Sequence, residues 1–404
     1  MAVRGDVPCV TLRAAPGTAY PCRARPHLTE GTSMSSSDSQ PITYATAGVD
    51  VHAGDRAVEL MKESVRRATR PEVLGGLGGF AGMFDASALK GMRRPVLATS
   101  TDGVGTKVAI AQAMDVHDTI GQDLVGMVVD DIVVSGAEPL FMTDYIACGR
   151  VVPERIAAIV SGIARGCELA GVALVGGETA EHPGLLGPEE YDVAGAATGV
   201  VEHDEILGPH RVERGDVILA LPSSGLHSNG YSLVRRVLAA AGWEWDRHVD
   251  ELGRTIGEEC LEPTRIYTRP LLELVRAGVG LHALSHVTGG GLAANLARVL
   301  PAGSLATVER SWTPPPIFRL VQELGRVPLA DLEQTLNMGV GFVAVLAPEH
   351  VGRASGILAQ HGITARVVGA VGDPSVAERH AEPVVQGAKG VDGGAVQMVG
   401  TYPA

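Results

Sequence analysis

The chain has 404 residues, of which 45% are hydrophobic and 20% charged, a composition typical of a globular protein with two or three domains. Its formal net charge of −13 argues against nucleic acid or an anionic membrane as partner. Charged residues interrupt the longest apolar runs well before the length of a membrane span. The five cysteines are scattered without a CxxC pair, which argues against a disulfide framework or zinc site and predicts a reducing, cytoplasmic location.

The first 40 residues differ from the rest of the chain. They are rich in arginine, proline and serine, and they lack the apolar core of a signal peptide. The arginines leave a transit peptide open, but the composition favours either a disordered extension over residues 1–40 or a start codon placed too early, with Met34 as the natural start. Residues 1–33 are therefore expected to be dispensable.

From Gly54 the apolar residues recur with the periods of helices and strands. Asp55 is a plausible N-cap for a helix that runs to Ala68 and is stopped by Pro71. In the rest of a first domain over residues 41–207, the pattern predicts strands at Pro95–Ser100, Leu140–Ala147, Val172–Val175 and Val193–Val201, and helices at Thr119–Ser135 and Pro153–Ala170.

A second domain is predicted from a boundary near Gly208-Pro209, over residues 208–372, because strands and helices alternate again. The fold class is therefore α/β or α+β. The polar, glycine-rich residues 373–404 predict a flexible tail. The expected elements of the second domain are strands Val217–Leu221, Leu281–Leu284, Gly341–Leu346 and Thr364–Val371, and helices Gly230–Ala241, Thr264–Ala277, Gly291–Leu300 and Pro348–Gln360.

Three aspartates indicate chemistry. Asp102 follows a strand in TDGVGTK, where the glycines let the backbone curve around an oxyanion and Thr106 and Lys107 can donate to phosphate. Asp130 and Asp131 are adjacent in an apolar helical run and point about 100° apart, so one is expected to bind metal and the other to contact a substrate hydroxyl or a backbone donor. Buried carboxylates of this kind suit Mg²⁺ with a phosphorylated substrate, which indicates an enzyme that uses a magnesium nucleotide.

Other polar or glycine-rich segments allow two interpretations each. The segment Gly75–Phe80 is no Walker loop and is either a glycine-rich flap over phosphates or a plain flexible loop. His286 precedes a glycine triplet and is either a general acid or base or a structural histidine. Glu178 and Glu181 either bind a metal or the substrate or are acidic residues at a helix N-terminus. Residues Ser223–Tyr231 bind phosphate or ribose, or simply cap a helix.

Taken together, seven segments resemble one family, the aminoimidazole ribonucleotide synthetases, also called phosphoribosylformylglycinamidine cyclo-ligases. The pattern DxxxxGAxP is shared with a wider ATP-using superfamily, whereas RPEVLGGLGGF is closer to this member. The resemblance covers about residues 44 to 371. The segments that carry it occur in the order Tyr44–Asp50, Arg70–Phe80, Thr101–Lys107, Asp131–Pro139, Gly176–Ala180, Ser223–Leu233 and His286–Gly291.

The resemblance implies a homodimer whose N-terminal domains close an intersubunit β-barrel. It implies that ATP phosphorylates the formyl-amide oxygen of formylglycinamidine ribonucleotide and that an amidine nitrogen then closes the imidazole ring. Asp102 and Asp131 would bind Mg²⁺, and Lys62 and His286 would be catalytic. Contacts to the nucleotide would come from Gly75, Gly76, Gly78, Gly79, Gly103, Val104, Gly105, Thr106, Lys107 and Asp130.

Three rival functions remain. A thiamine-monophosphate kinase or selenophosphate synthetase belongs to the same superfamily, but the latter typically carries cysteine or selenocysteine in its glycine loop, and Gly75–Phe80 has neither. A nicotinamide oxidoreductase would use GGLGGF as its dinucleotide loop, although this loop follows no strand. A non-catalytic nucleotide-binding protein is opposed by the carboxylates present at every matched position.

Overall fold

A four-stranded mixed sheet organises the N-terminal half of the protein. The computed structural model describes Thr43 and residues 48–76, 78–372, 382–387 and 390–403, so the predicted disorder of residues 1–40 lies outside it. The elements of this half are helices α1 (Val51–Arg67), α2 (Val108–Met114), α3 (Ile120–Val133) and α4 (Pro153–Ala170), and strands β1 (Val73–Leu74), β2 (Met83–Phe84), β3 (Pro95–Gly103), β4 (Glu138–Cys148), β5 (Ala173–Glu181) and β6 (Tyr191–Glu202).

The sheet has the strand order β3-β6-β4-β5 and is covered by helices on one face. Burial alternates along β6, so every second side chain points toward the helices. Helices α3 and α4 cross closely because Gly121 and Gly162 lie at the crossing. A Cβ on Gly121 would lie 2.2 Å from the backbone nitrogen of Ile163.

The opposite face of this sheet is left open by the described residues. Leu97 and Tyr145 are 62% and 41% exposed there, and Thr99, Thr101 and Thr143 are exposed beside them. Exposed large apolar side chains on one sheet face are typical of a surface that packs against another protein.

A larger mixed sheet, buried on both faces, forms the C-terminal half. Two clusters of buried side chains flank it, with Val343 of one strand in one cluster and its neighbour Phe342 in the other. The strands are β7 (Val217–Pro222), β8 (His248–Val249), β9 (Arg254–Thr255), β10 (Leu281–His286), β11 (Leu305–Glu309), β12 (Val340–Leu346), β13 (Arg366–Gly372), β14 (Val384–Gln386) and β15 (Ala395–Val399).

Seven of these strands form one sheet with the order β10-β12-β7-β13-β11-β15-β14. Helices pack on both of its faces, which explains why its interior strand β12 is buried along its whole length. The helices of this half are α5 (Tyr231–Ala240), α6 (Ile256–Cys260), α7 (Thr268–Ala277), α8 (Gly291–Arg298), α9 (Pro316–Gly325), α10 (Leu329–Thr335) and α11 (Val351–Gln360).

Two sequence predictions about the chain ends need correction. Helix α1 is capped by Asp50, whose carboxylate accepts from the backbone N–H groups of His52 and Ala53, and not by Asp55. The predicted flexible tail over residues 373–404 is wrong for β14 and β15. Strand β15 pairs in parallel with β11, and Val396 and Gln397 are completely buried.

Candidate active site

An ion pair between the two halves forms the first part of the candidate site. Asp131 lies near the end of α3, and its Oδ1 atom is 2.9 Å from Nδ1 of His286 at the end of β10. The histidine is buried, whereas the aspartate side chain is 45% exposed. The structure therefore brings together two residues that are 155 positions apart in the sequence.

The charge around His286 favours its protonated form. Burial opposes protonation, but the hydrogen bond to Asp131 and the negative charges of Asp131, Asp130 and Asp102 outweigh it and raise the pKa of His286. Asp102, predicted as a metal ligand, thus lies close enough to act on the same imidazole ring. No group of three or more histidine, cysteine, aspartate or glutamate side chains able to hold a metal occurs in the part of the chain that the structure describes.

Asp130 has a structural environment that differs from the predicted cofactor contact. Its carboxylate is completely buried and accepts from the backbone N–H of Tyr267 and, at 2.7 Å, from the hydroxyl of Thr268. Burial raises its pKa to about 6. Because its oxygens accept hydrogen bonds from residues at the start of α7, this geometry contradicts the predicted nucleotide contact. It agrees with the other expectation, that one of the two adjacent aspartates contacts a backbone donor.

Lys107 is the clearest correction among the predicted phosphate ligands. Its side chain is completely buried, and its Nζ atom donates to Asp123 at 2.9 Å and to the backbone oxygens of His227 at 3.0 Å and Glu262 at 2.7 Å. An ammonium group has three N–H donors, and all three are used. Asp123 also accepts from the backbone and hydroxyl of Thr264, so this buried pair joins the two halves.

The loop after Asp102 is only partly available to a phosphate. The N–H of Gly103 donates to the Asp102 carboxylate, and the N–H of the buried Val104 donates to the oxygen of Val193. The predicted nucleotide contacts of Gly103 and Val104 are therefore wrong as far as their backbone N–H groups are concerned, because both groups donate to protein oxygens. Gly105, with φ of +73°, and Thr106 are exposed and remain candidates.

Strand register places a second carboxylate in line with Asp102. Asp102 of β3 pairs with Gly195 of β6, Gly195 pairs with Asp144 of β4, and Asp144 pairs with Gly177 of β5. Directly paired residues point to the same face, so the four form one row on the helix side of the sheet. Neighbouring strands lie about 4.8 Å apart, which separates the two aspartates by about 10 Å along the backbone.

Asp144 faces a cavity of about 570 Å³ between α1, the glycine-rich loop and β5. The residue is 9% exposed, and burial raises its pKa to about 7. Thr143, Glu178 and the apolar side of α1 also border the cavity. Asp144 is not among the site residues predicted from the sequence, although an aspartate at an inward position of a predicted apolar strand is an available signal.

The glycine-rich loop also borders a second cavity, of about 430 Å³. Lys62 of α1 lines this cavity together with Gly75 and Gly76, and its amino group pairs with Glu59. Gly78 and Gly79 line the first cavity, whereas Leu77 lies outside the described residues. The structure thus brings Lys62 to the predicted glycine flap, whereas Asp131 and His286 form a separate cluster.

Two other predicted segments are engaged by the protein itself. Glu181 accepts from the backbone of Asp50 and Val151, so it holds the start of α1. The Ser228 hydroxyl donates to the Val104 oxygen. Nε2 of the buried His227 accepts from the N–H of Ser224. These contacts explain why the Ser223–Tyr231 segment lies against the loop that follows Asp102.

This fold and site define a member of the AIR synthase related proteins. The family model described as AIR synthase related protein, N-terminal domain, matches residues 84–201, and the C-terminal domain model matches residues 213–380. The fold is similar to a thiamine-monophosphate kinase from Stenotrophomonas maltophilia K279a, with a TM-score of 0.56, 17% identity, and coverage of 85% of this chain and 97% of that chain. It is also similar to hydrogenase maturation protein HypE in complex with ATP, with a TM-score of 0.57, 20% identity, and coverage of 89% and 98%.

Curated relatives identify the family within this class. The chain is 53% identical over 310 residues to a phosphoribosylformylglycinamidine cyclo-ligase of Desulfitobacterium hafniense, covering 76% of this chain and 90% of the relative. It is 50% identical over 330 residues to the enzyme of that name from Thermosynechococcus vestitus, covering 81% and 96%. The chain belongs to the phosphoribosylformylglycinamidine cyclo-ligase family.

Proposed function

We propose that the protein closes the imidazole ring of 5-aminoimidazole ribonucleotide from formylglycinamidine ribonucleotide, with conversion of ATP to ADP and phosphate. The observation that supports this most strongly is the identity of about half of all aligned residues to cyclo-ligases over most of the chain. The rival kinase shares only the fold, at 17% identity. The protein is thus a ligase of purine biosynthesis.

Asp102 and Asp131 fit a Mg²⁺ ion that arrives with the nucleotide. Mg²⁺ usually takes one or two protein carboxylates and fills its other positions with water and phosphate oxygens. The Asp131 side chain is 45% exposed, so a ligand can reach it. Asp102 lies close enough to raise the pKa of His286, the partner of Asp131. When bound, Mg²⁺ would offset negative charge on the transferred phosphoryl group.

The chain's own residues provide the rest of this site. His286 holds one oxygen of Asp131 through Nδ1, so the orientation of the carboxylate is fixed before a ligand binds. The positive charge favoured on His286 also lowers the local negative potential, which favours an incoming phosphate. This makes His286 a positioning residue for Asp131 as well as a candidate acid.

The cavity beside Lys62 is the best candidate for the nucleotide. Gly75 and Gly76 let the backbone approach a ligand closely, and Gly75 has a positive φ of +86°. Lys62 lies on the same wall, where its ammonium can meet a phosphate. Thr106 and Gly105 would contact phosphate groups from the side of Asp102.

The open sheet face supports the proposed homodimer with an intersubunit barrel. Leu97 and Tyr145 expose apolar surface on β3 and β4. A second copy placed face to face would bury it. Sedimentation should show a dimer for the unmodified protein and a monomer for Leu97→Glu. A monomeric unmodified protein would rule the dimer out.

No helix in the described ranges is both long and apolar enough to cross a membrane. Cys148, Cys167 and Cys260 are buried free thiols. Free thiols are typical of proteins that remain in a reducing compartment, so we propose a cytoplasmic location.

The proposed function is tested by phosphate release. The protein should release phosphate from ATP only when formylglycinamidine ribonucleotide is present, and the ultraviolet and mass signatures of aminoimidazole ribonucleotide should appear in equal amount. Thiamine phosphate serves as the competing substrate. Equal release with thiamine phosphate would move the protein to the kinase branch.

A further inference from the structure

Asp144 is a buried carboxylate without a protein counter-ion. It is 9% exposed, and among the described residues its carboxylate has no hydrogen-bond donor except its own backbone N–H. A buried carboxylate normally has a cation or several donors as partners. Asp123 and Asp130, two completely buried aspartates of α3, each have such partners.

The neighbouring strand is shaped to leave room for this carboxylate. Gly177 lies directly opposite Asp144, and a Cβ on Gly177 would come within 2.2 Å of the Asp144 Oδ1 atom. No side chain larger than hydrogen fits there without displacing the carboxylate. The Asp144 side chain also borders the cavity of about 570 Å³, which has room for a ligand.

We propose that Asp144 binds the amidine group of formylglycinamidine ribonucleotide and acts as the base that frees its nitrogen for ring closure. This inference rests on the proposed function and assigns a residue that the sequence motifs left open. An amidine presents two N–H groups in a plane, and a carboxylate accepts both in a bidentate pair. A substrate bound in the cavity would provide the hydrogen-bond donors that the Asp144 carboxylate lacks.

The reaction step balances around this pair. The amidine nitrogen transfers its proton to the Asp144 carboxylate while the nitrogen lone pair forms the new N–C bond to the activated formyl carbon. The C–O bond to the phosphate group breaks, and phosphate leaves with the bonding electrons. ATP supplies the phosphate in the preceding step of the proposed reaction.

The groups around Asp144 suit a base that works near neutral pH. Burial raises its pKa to about 7, and the best general bases have a pKa near the working pH. Among the described residues, Glu178 borders the same cavity, and the buried thiol of Cys167 on α4 lies close enough to Asp144 to interact with it electrostatically. Lys62 lines the neighbouring cavity, where its exposed ammonium pairs with Glu59 and does not contact Asp144.

The adenine ring of ATP carries a similar N–C–N edge and is the competing occupant. The position of the cavity favours the substrate, because the cavity that Lys62 lines gives the nucleotide a separate place beside the same loop. If Asp144 contacts adenine, substitution of Asp144 should change the KM of ATP. If it contacts the substrate, the substitution should change the KM of formylglycinamidine ribonucleotide.

The decisive experiment compares two ligands that differ at one group. Formylglycinamide ribonucleotide has an amide oxygen in place of the amidine nitrogen, so it cannot form the paired contact to a carboxylate. Calorimetry should show that the unmodified protein binds the amidine at least about tenfold more tightly than the amide. Asp144→Asn should abolish this preference and retain binding of the amide, which also shows that the variant is folded.

Kinetics provide the second measurement. Asp144→Asn should lower kcat by about 100-fold or more and leave the KM of ATP unchanged. The rise of kcat with pH around neutrality should disappear in this variant. Asp118→Asn, which removes an exposed carboxylate before α3, is the matched control and should behave as the unmodified protein.

Three outcomes overturn the inference: an amidine preference that survives in Asp144→Asn, an effect on the KM of ATP alone, or near-normal kcat. None of these affects the proposed function, because that is tested by product formation in the unmodified protein. Absence of product from the unmodified protein would instead remove the proposed function.

Discussion

The buried carboxylate of Asp144 makes stability depend on pH in a way that one substitution should remove. Its pKa is about 7 in the folded protein against 3.8 in water, a difference that corresponds to about 4 kcal/mol. Because the folded-state pKa is the higher one, the protonated form stabilises the fold. This contribution is complete below about pH 4 and is lost as the pH rises to about 7.

We predict that Asp144→Asn, which is neutral at every pH, becomes more stable relative to the unmodified protein as the pH rises. Between about pH 5 and about pH 8 the difference in unfolding free energy should change by roughly 2.5 kcal/mol. The measurement is urea unfolding followed by circular dichroism at several pH values. Asp130, whose pKa is raised to about 6, titrates in both proteins and cancels in the difference.

Asp118→Asn controls for the loss of one negative charge and should show a constant difference across this range. A constant difference for Asp144→Asn as well would mean that the carboxylate is hydrated or paired in solution. That result would refute the argument from burial, and with it the pKa of about 7 used for the proposed base.

Three further predictions concern other parts of the molecule. Asp131→Asn should lose most turnover yet keep its circular dichroism spectrum, because the exposed carboxylate contributes little to folding; near-normal turnover would exclude the metal role. Lys107→Met should destabilise the fold by about 3–5 kcal/mol, since it leaves Asp123 charged and buried, and adding Asp123→Asn should recover part of this loss in urea unfolding; purely additive effects would contradict the pairing. Deletion of residues 1–33 should preserve dimerisation and turnover, and a collapse in solubility or rate would show that this segment is structural.

The sequence predicted the main elements because their hydrophobic periods are strong. The predicted bounds of the helix Pro153–Ala170 agree with the structure, and α3 and β6 differ by two residues or fewer at each end. Helices α9 and α10 and strand β11 were not predicted, since short elements between prolines have little periodic signal. The pairing that orders β15 depends on β11, a partner about 90 residues away, which local sequence cannot reveal.

Site residues were harder to assign because motif membership does not specify where a side chain points. Lys107 lies within a resembling motif and Asp130 directly precedes one. Lys107 nevertheless donates to Asp123 and to two backbone oxygens 120 and 155 residues away, and Asp130 accepts from a backbone N–H and a hydroxyl 137 and 138 residues away. Asp131 and His286 were both selected from the sequence, but their hydrogen bond was not. Asp144 was missed because its meaning depends on Gly177, which is opposite in the sheet but distant in the chain.

The buried pair of Lys107 and Asp123 has a consequence for how the protein can be divided. Two of the three acceptors of the Lys107 ammonium group, at His227 and Glu262, come from the C-terminal half. An isolated N-terminal fragment would keep the pair with Asp123 but lose the other two acceptors of the ammonium group. A separately expressed C-terminal fragment would leave Thr264 without its acceptor. The two halves therefore need to be made as one polypeptide, or to be co-expressed so that they can assemble.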